Sequence, residues 1–538
     1  MAQRLKARLP AACHLIFLAF ILLMFGGCST NPPGADFPRT LSNAIPHSEQ
    51  TRLGVQFAKA AEEHGGKSGF RIITAGVDGF LARVQMIDSA ERSLDLQYFI
   101  FRGDETGRLI TDALLRAANR GVRIRVLIDD ADTVPGDEQI LALTVHPEIE
   151  IRIFNPFSYR GHVKVLRALE FLFNASRLDY RMHNKLIVVD NTVALVGGRN
   201  IGNQYFQVDP TSQFADDDVF AAGPIVGLMS ATFDEYWNSR LAIPTAAISR
   251  KAKAAVNSRH RRARADHSLL SSKGGGIDYA AKIATGEPYA GIISGHLSLV
   301  WAPARVVCDS PDKKNVEMGV QRGHLMSRPL IAAANAVQSE LLLVTPYFIP
   351  AADELKLLHD LRARSVSVSI ITNSLESTVD ILAQAAYSSY RKPLLKHGVE
   401  IREIRALLGN VHGSGQTARI SRYGNYGLHA KLFVFDRQKI FIGSMNYDQR
   451  SKRLNTEIGV IIDSPELAQQ TAARFAAMAQ PANSYALALQ SRAGRSAKLV
   501  WRTEEQGSAV EYSREPAQNA WKRLAVNLLS LLPFDREL

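Results

Sequence analysis

Apolar and polar positions along this chain follow two rhythms that take turns. "SLDLQYFIF" (93–101) and "VRIRVLIDD" (122–130) carry apolar residues at alternate positions, the period of a strand. Between them, "TGRLITDALLRAANRG" (106–121) spaces its apolar residues by three and four and stops at a glycine, which predicts a helix. "EIEIRIFNP" (148–156) supplies a further strand. The second half of the chain replays this order of types. "ELLLVTPYFIP" (340–350) reads as a strand, "ADELKLLHDLRAR" (352–364) as a helix, and "VSVSIITNS" (366–374) and "GVEIREIRA" (398–406) as strands. The alternation predicts an α/β fold, and its return predicts two fused halves.

A second repeat is sharper. "DYRMHNKLIVVD" (179–190) places His183, Lys185 and Asp190 at fixed spacing, and "YGLHAKLFVFD" (426–436) places His429, Lys431 and Asp436 at the same spacing. Each member of the second triplet lies 246 residues after its counterpart. Each segment then returns through a short apolar strand, "TVALV" or "KIFI", to "GGRN" (197–200) or "GSMN" (443–446), ending in Asn200 and Asn446. One such triplet arises by chance, but two at one lag with the same sequel do not.

Composition sets the class of partner. At 538 residues the chain is too long for one ordinary core, and 46% hydrophobic with 22% charged residues describes a globular protein. Its 64 Lys+Arg against 52 Asp+Glu give +12, which favours an anionic partner, nucleic acid or a phospholipid surface. The N-terminus weighs for export. Arg4, Lys6 and Arg8 precede an apolar run from Leu15 to Phe25, too short to span a bilayer, and Gly26-Gly27 then offers a small-residue cleavage site. Cys28-Ser29-Thr30 follows and resembles the lipobox of bacterial lipoproteins, with Cys28 as lipid anchor and Phe25 where leucine is usual. An ordinary cleaved signal or an uncleaved anchor are the alternatives, and all three export the protein.

Loss of residues 1–27 removes three basic and no acidic residues, leaving +9. Cys13 leaves with the signal and Cys28 would be lipidated, so Cys308 stands alone and no internal disulfide forms. Residues 28–65, rich in proline and polar residues at "STNPPGADFPRT", predict a tether, and 66–245 and 296–500 the two halves. A basic linker (246–295) between them concentrates seven Lys and Arg in "SRKAKAAVNSRHRRARAD", as either a solvated face or a contact to acidic headgroups. The extension 501–538 ends in "WKRLAVNLLSLLPF", a helix that either lies on a membrane or, more commonly, packs on the domain.

The repeated residues suit chemistry at phosphorus. Alternate positions on a strand share a face, so His183 projects with Lys185 and His429 with Lys431. Asp190 and Asp436 have the opposite parity and are expected to close the turn after each strand. Two copies facing one another would surround a tetrahedral phosphate. A neutral imidazole can attack phosphorus while a protonated one gives its proton to the leaving alkoxide, and two lysines and two asparagines stabilise the charge on the equatorial oxygens. That division of labour requires no metal or cofactor. Each imidazole also needs an acid to fix its tautomer. Glu457 lies downstream of His429, and an acidic cluster, "FADDDVFAAGP", lies downstream of His183; aligning Val460 with Val219 pairs Glu457 with Asp216, with Asp218 in reserve.

At these residues the chain resembles the phospholipase D superfamily, marked by two copies of His-x-Lys-x4-Asp-x6-Gly-Ser/Gly-x-Asn. "HNKLIVVDNTVALVGGRN" and "HAKLFVFDRQKIFIGSMN" fit throughout, with Gly198 in place of the usual serine. The flanks "YRMHNKLIVVDNTVALVGGRNIGNQYF", "DDDVFAAGP" and "GSMNYDQRSKRLNTEIG" look most similar to bacterial cardiolipin synthases of the C-type branch. The resemblance covers about residues 70–480. It implies two α/β/α halves with mixed sheets related by a pseudo-twofold, one site at their interface, and a phosphohistidine intermediate. It assigns the nucleophile to His183 and the general acid/base to His429. Phospholipids and a membrane surface are the implied partners, in a bacterial cell envelope facing the periplasm, with any accessory subunit unspecified. Transfer to phosphatidylglycerol yields cardiolipin; transfer to water yields phosphatidic acid. A nucleic-acid phosphodiesterase is the rival enzyme, opposed by export, and the intact aspartates disfavour its tyrosyl-DNA phosphodiesterase branch. A catalytically dead, lipid-anchored scaffold is opposed by two complete motifs.

Overall fold

The computed structural model describes residues 31–132, 143–144, 146–159, 161, 163–209, 212–249, 291, 298–406, 425–492 and 495–531. The signal segment with Cys28 and all but the ends of the basic linker lie outside the described residues, as does the end of the chain from 532.

Two mixed sheets repeat one order. In the first, Ser93–Tyr98, Arg123–Asp129 and Ile149–Phe154 run parallel, and Ser93–Tyr98 also meets Lys185–Val189 antiparallel. Val193–Gly197 and Asp218–Ala222 continue that side. In the second sheet, Glu340–Val344, Ser367–Asn373 and Glu400–Ile404 take the parallel places, and Leu432–Phe435, Lys439–Gly443 and Ile458–Asp463 the antiparallel ones. The repeat of types along the chain is thus a repeat of topology, two α/β halves with mixed sheets, as the sequence predicts.

The strands carrying the motifs are buried on both faces. Every residue of Lys185–Val189 and Val193–Gly197 is buried, which is why they read as unbroken apolar runs. Helix Glu105–Asn119 covers the first sheet with Leu109, Ile110, Ala113, Leu114 and Ala117, its N-terminus capped by Asp104 accepting from Gly107 N–H. A central core joins the halves. Val188 and Val196 of the first sheet share it with Val434 and Ile442 of the second and with helices Ile225–Trp237 and Pro465–Met478. Among the described residues no helix is long and apolar enough to cross a membrane.

Three predicted boundaries move. From residue 31 onward the predicted tether is no free segment. Arg125 Nη1 donates to Ser42 O at 2.6 Å and Asp234 accepts from Ala44 N–H at 2.7 Å, so the proline-rich stretch lies fixed on the first half. Arg52–Glu63 then forms a helix that buries Leu53, Phe57 and Ala61. The second half does not begin as one piece either, because Val300–Ala302 pairs with Ser68–Ile73 at the edge of the first sheet. Only after Pro303 does Ala304–Cys308 join the second. Residues 501–512 are no extension, since Arg495–Glu505 and Ser508–Tyr512 close the far edge of the second sheet. Cys308 is half-buried beside Thr232, a packing position.

The motif aspartates tie strands together. Asp190 and Asn191 both have positive φ, 51° and 52°, as do Asp436 and Arg437, each 52°, the left-handed conformation that a tight hairpin turn requires. The Asp190 carboxylate accepts backbone N–H bonds from Glu91, Arg92 and Ser93 at 2.8–2.9 Å, and Asp436 accepts from Gln338, Ser339 and Glu340 at 2.7–2.9 Å. They therefore fasten each hairpin to the start of the neighbouring parallel strand and leave the imidazoles alone. Asp190 is fully buried and Asp436 only partly. Asp190→Ala is expected to lower the unfolding free energy by about 3 kcal/mol, and Asp436→Ala by roughly half as much, since water can reach its stranded amides. Urea titrations of both variants check the ranking.

Candidate active site

Neither histidine sits in the strand that follows it. The ladder begins at Lys185 in the first copy and at Leu432 in the second, and each histidine is set by what precedes it. At the end of Arg123–Asp129, the Asp129 carboxylate accepts from Met182 N–H at 2.8 Å. At the equivalent strand end, the Asn373 amide brackets Leu428, accepting from its N–H at 2.8 Å and donating to its carbonyl at 2.9 Å. The residue before each imidazole is thereby pinned to its own half.

The other edge of each segment pairs with the opposite half. Met182 bridges Thr456, and His183 N–H donates to Thr456 O at 2.9 Å. Asn425–Leu428 runs parallel to Ser212–Ala215, and His429 N–H donates to Ala215 O at 2.7 Å. Thr456 and Ala215 each directly precede an acid, so the exchange of edges also exchanges the carboxylates. His183 Nδ1 lies 2.9 and 3.1 Å from the Glu457 oxygens, and His429 Nδ1 lies 2.6 Å from Asp216. Sequence order, which sets Glu457 downstream of His429 and the acidic cluster downstream of His183, is thus crossed in space. Asp218 plays no such part: it is paired with Arg83 at 2.9 Å and Arg199 at 3.0 Å.

All six of these site groups are buried. His183 and His429 keep 6% and 8% exposure, and Lys185, Lys431, Asp216 and Glu457 at most 1%. Lys185 Nζ donates to the carbonyl of its own histidine at 2.5 Å; Lys431 Nζ bonds the His429 carbonyl and stands 2.9 Å from His429 Nδ1. Burial, then the adjacent Lys185, then Lys431 from across the site hold the His183 imidazole well below its ordinary range. His429 falls to about 3 through burial and Lys431, against the pull of Asp216, with Lys185 adding to the depression. Each histidine thus takes its carboxylate from the opposite half, which sets the two motifs against one another. Burial also lowers both lysines, Lys431 to about 8. Such a cluster favours an anion that would restore their charge.

The two acids differ. Burial raises Glu457 to about 7, despite Lys185 and a 2.5 Å bond from Ser444 Oγ. Burial would raise Asp216 too, but His429, Lys431 and Arg199 together hold it below the usual carboxylate range. The departure at Gly198 has its cause here. A Cβ on Gly198 would stand 2.1 Å from Asp216 Oδ1, in space that the shorter acid occupies, whereas Ser444 has room to donate to the longer Glu457.

The asparagines are unequal as well. Asn200 Nδ2 donates to Tyr205 OH at 2.8 Å and its Oδ1 accepts from Ile100 N–H, so its amide is already engaged. Asn446 is buried, and its Oδ1 has no hydrogen-bond partner among the described residues. Tyr205 was invisible to motif spacing: its ring meets His429 edge-on at 5.2 Å, joining one motif's asparagine to the other motif's histidine. The Phe99 ring meets His183 edge-on at 4.9 Å. Lys313 and Asp309 also escaped the motif pattern. Asp309 accepts from Glu457 N–H at 3.0 Å, and the fully buried Lys313 ties it to the Ser451 and Asn455 carbonyls, so this pair fixes the loop that aims Glu457. No sequence motif marks them; only their burial does.

Comparison with known proteins agrees with this geometry. Residues 84–237 and 330–479 match the family described as "Cardiolipin synthase, PLD-like domain". The chain is 35% identical to cardiolipin synthase C of Escherichia coli (strain K12), over 90% of this chain and 99% of that one. It is 26% identical to the major cardiolipin synthase ClsA of Bacillus subtilis (strain 168), over 75% and 67%. A solved phosphatidylserine synthase from Haemophilus influenzae Rd KW20 shares the fold, with a TM-score of 0.52 at 15% identity over 80% of this chain and 92% of that one. Two matching stretches, one in each half, and a relative aligned along nearly its whole length place the chain in the phospholipase D-like cardiolipin synthase family of enzymes.

Proposed function

We propose that this enzyme transfers a phosphatidyl group between phospholipids through a phosphohistidine, and that it makes cardiolipin with phosphatidylglycerol as acceptor. The observation that carries the proposal is the crossed pair of histidine–carboxylate contacts within one buried cluster of lysines. In the first step Nε2 of neutral His183 attacks phosphorus, and the bond to the donor headgroup oxygen breaks. His429 gives that oxygen its proton. The ionised Asp216 at its Nδ1 is suited to hold the imidazolium that a phosphodiester anion induces. In the second step His429 takes the proton of the acceptor hydroxyl, whose oxygen attacks phosphorus as the His183 N–P bond breaks. Lys185, Lys431 and Asn446 are placed to stabilise charge on the equatorial oxygens, and Asn200 acts through Tyr205.

Reading the first residues as a lipoprotein signal, we infer further that Cys28 tethers the enzyme to the envelope, where both substrates reside. The deciding experiment expresses the protein in a bacterium devoid of cardiolipin and resolves its extracted lipids. Cardiolipin is expected to appear. Phosphatidic acid accumulating alone would instead assign the reaction to hydrolysis. Mass spectrometry of trapped enzyme is expected to find the phosphoryl adduct on His183, and finding it on His429 reverses the two roles.

A further inference from the structure

Helix Lys164–Phe173 is inside out. None of its residues is buried, and Leu166, Leu169 and Leu172 stand 45%, 43% and 71% exposed. Its polar residues turn inward instead. Glu170 accepts from Ser158 N–H at 2.6 Å and Tyr159 N–H at 2.7 Å, while Arg167 bonds the Asp130 carbonyl and covers the Phe157 ring at 4.1 Å. A soluble surface helix orients the other way.

A second helix also leaves large apolar side chains outside. Ala520–Leu529 buries Val526 against Leu375 and Ala385, and Lys522 Nζ reaches the Thr378 carbonyl at 2.8 Å. Trp521 and Leu528 remain 78% and 58% exposed. The two helices hold equivalent posts. Asp130 follows strand Arg123–Asp129 and residues 374–378 follow Ser367–Asn373, the matching strands whose last residues pin Met182 and Leu428 next to the histidines. The relation that exchanges the two imidazoles therefore exchanges these two loops, and the helices flank the site.

We propose that the two helices form a paired apolar platform that inserts into the face of a phospholipid bilayer and so presents the histidine cluster to its headgroups. The proposal rests on the reading of the substrate as phospholipid. Charge agrees with it: Lys164 stands exposed on one helix, and the other carries Lys522 and Arg523 and no acid, which suits an anionic surface.

The test uses the full chain carrying His183→Ala, which prevents turnover, with phosphatidylglycerol vesicles whose acyl chains are brominated. Quenching of Trp521 fluorescence is expected, its loss in Trp521→Phe, and its return when Leu169→Trp is added to that variant. Emission from both positions that bromolipid leaves unquenched overturns the proposal. So does a blue shift of the emission from position 169 that needs no lipid and grows with protein concentration, which would assign the face to a second copy. In otherwise unmodified enzyme, Leu166→Ser with Leu169→Ser and Leu172→Ser is expected to reduce activity on vesicles by at least about tenfold and to leave activity on monomeric dihexanoyl phosphatidylglycerol unchanged. An equal fall on both substrates counts against docking. Absence of phosphatidyl transfer by the parent on either substrate would sink the functional reading alone, because the quenching is read without catalysis.

Discussion

Replacing either His183 or His429 by alanine is expected to lower the rate of phosphatidyl transfer by about 10⁴-fold or more, because in the proposed mechanism each makes or breaks a bond to phosphorus or to the moving proton. The two variants should part company on an activated substrate. A nitrophenyl phosphodiester releases an oxygen that needs no proton, so His429→Ala is expected to yield a burst of nitrophenolate as its His183 captures the phosphoryl group. His183→Ala should give none. Equal bursts from both would refute the division of roles, and full activity in either would remove that histidine from the mechanism. Since both imidazoles are buried in contact with ordered neighbours, circular dichroism of each variant separates lost chemistry from lost fold.

The second large effect concerns the carboxylates and differs between them. Asp216→Asn and Glu457→Gln are each expected to lower kcat by about 10²- to 10⁴-fold with little change in KM, since an amide no longer fixes the imidazole tautomer or holds its positive charge. Their pH dependence should separate them. Glu457 titrates near 7, so in the parent the pair it forms with His183 loses its carboxylate as pH falls through that value, and the rate falls with it. Above that range the pair is ionised and the rate reaches its plateau on this limb. Glu457→Gln is expected to abolish the limb together with the rate. Asp216 is held ionised below the ordinary range, so Asp216→Asn should reduce the rate and leave the limb in place. A limb surviving in Glu457→Gln would show that another group sets it.

Much of this was legible because the chain states it twice. The strands and helices around both motifs fall within a few residues of where period and punctuation put them, since buried parallel strands leave long apolar runs and their helices keep a clean stripe. The crossed carboxylates were not legible. They depend on an exchange of strand edges between residues more than two hundred positions apart, and nothing near His183 encodes its contact with Glu457. The misplaced tether has a different cause. Proline-rich composition suggests a free segment, yet Leu53, Phe57 and Ala61 lie along one helical face behind the capping residue Thr51, so the pattern was present and outweighed. Likewise Arg495–Glu505 alternates as a strand straight across the boundary set at 500.

The exchange of edges makes competence a property of the whole chain. Either half severed from the other would keep its imidazole and its lysine and lose the acid that orients them. A nascent or damaged molecule with one sound half is therefore inert toward the lipids around it. Phosphatidyl transfer is withheld until both halves have closed on each other.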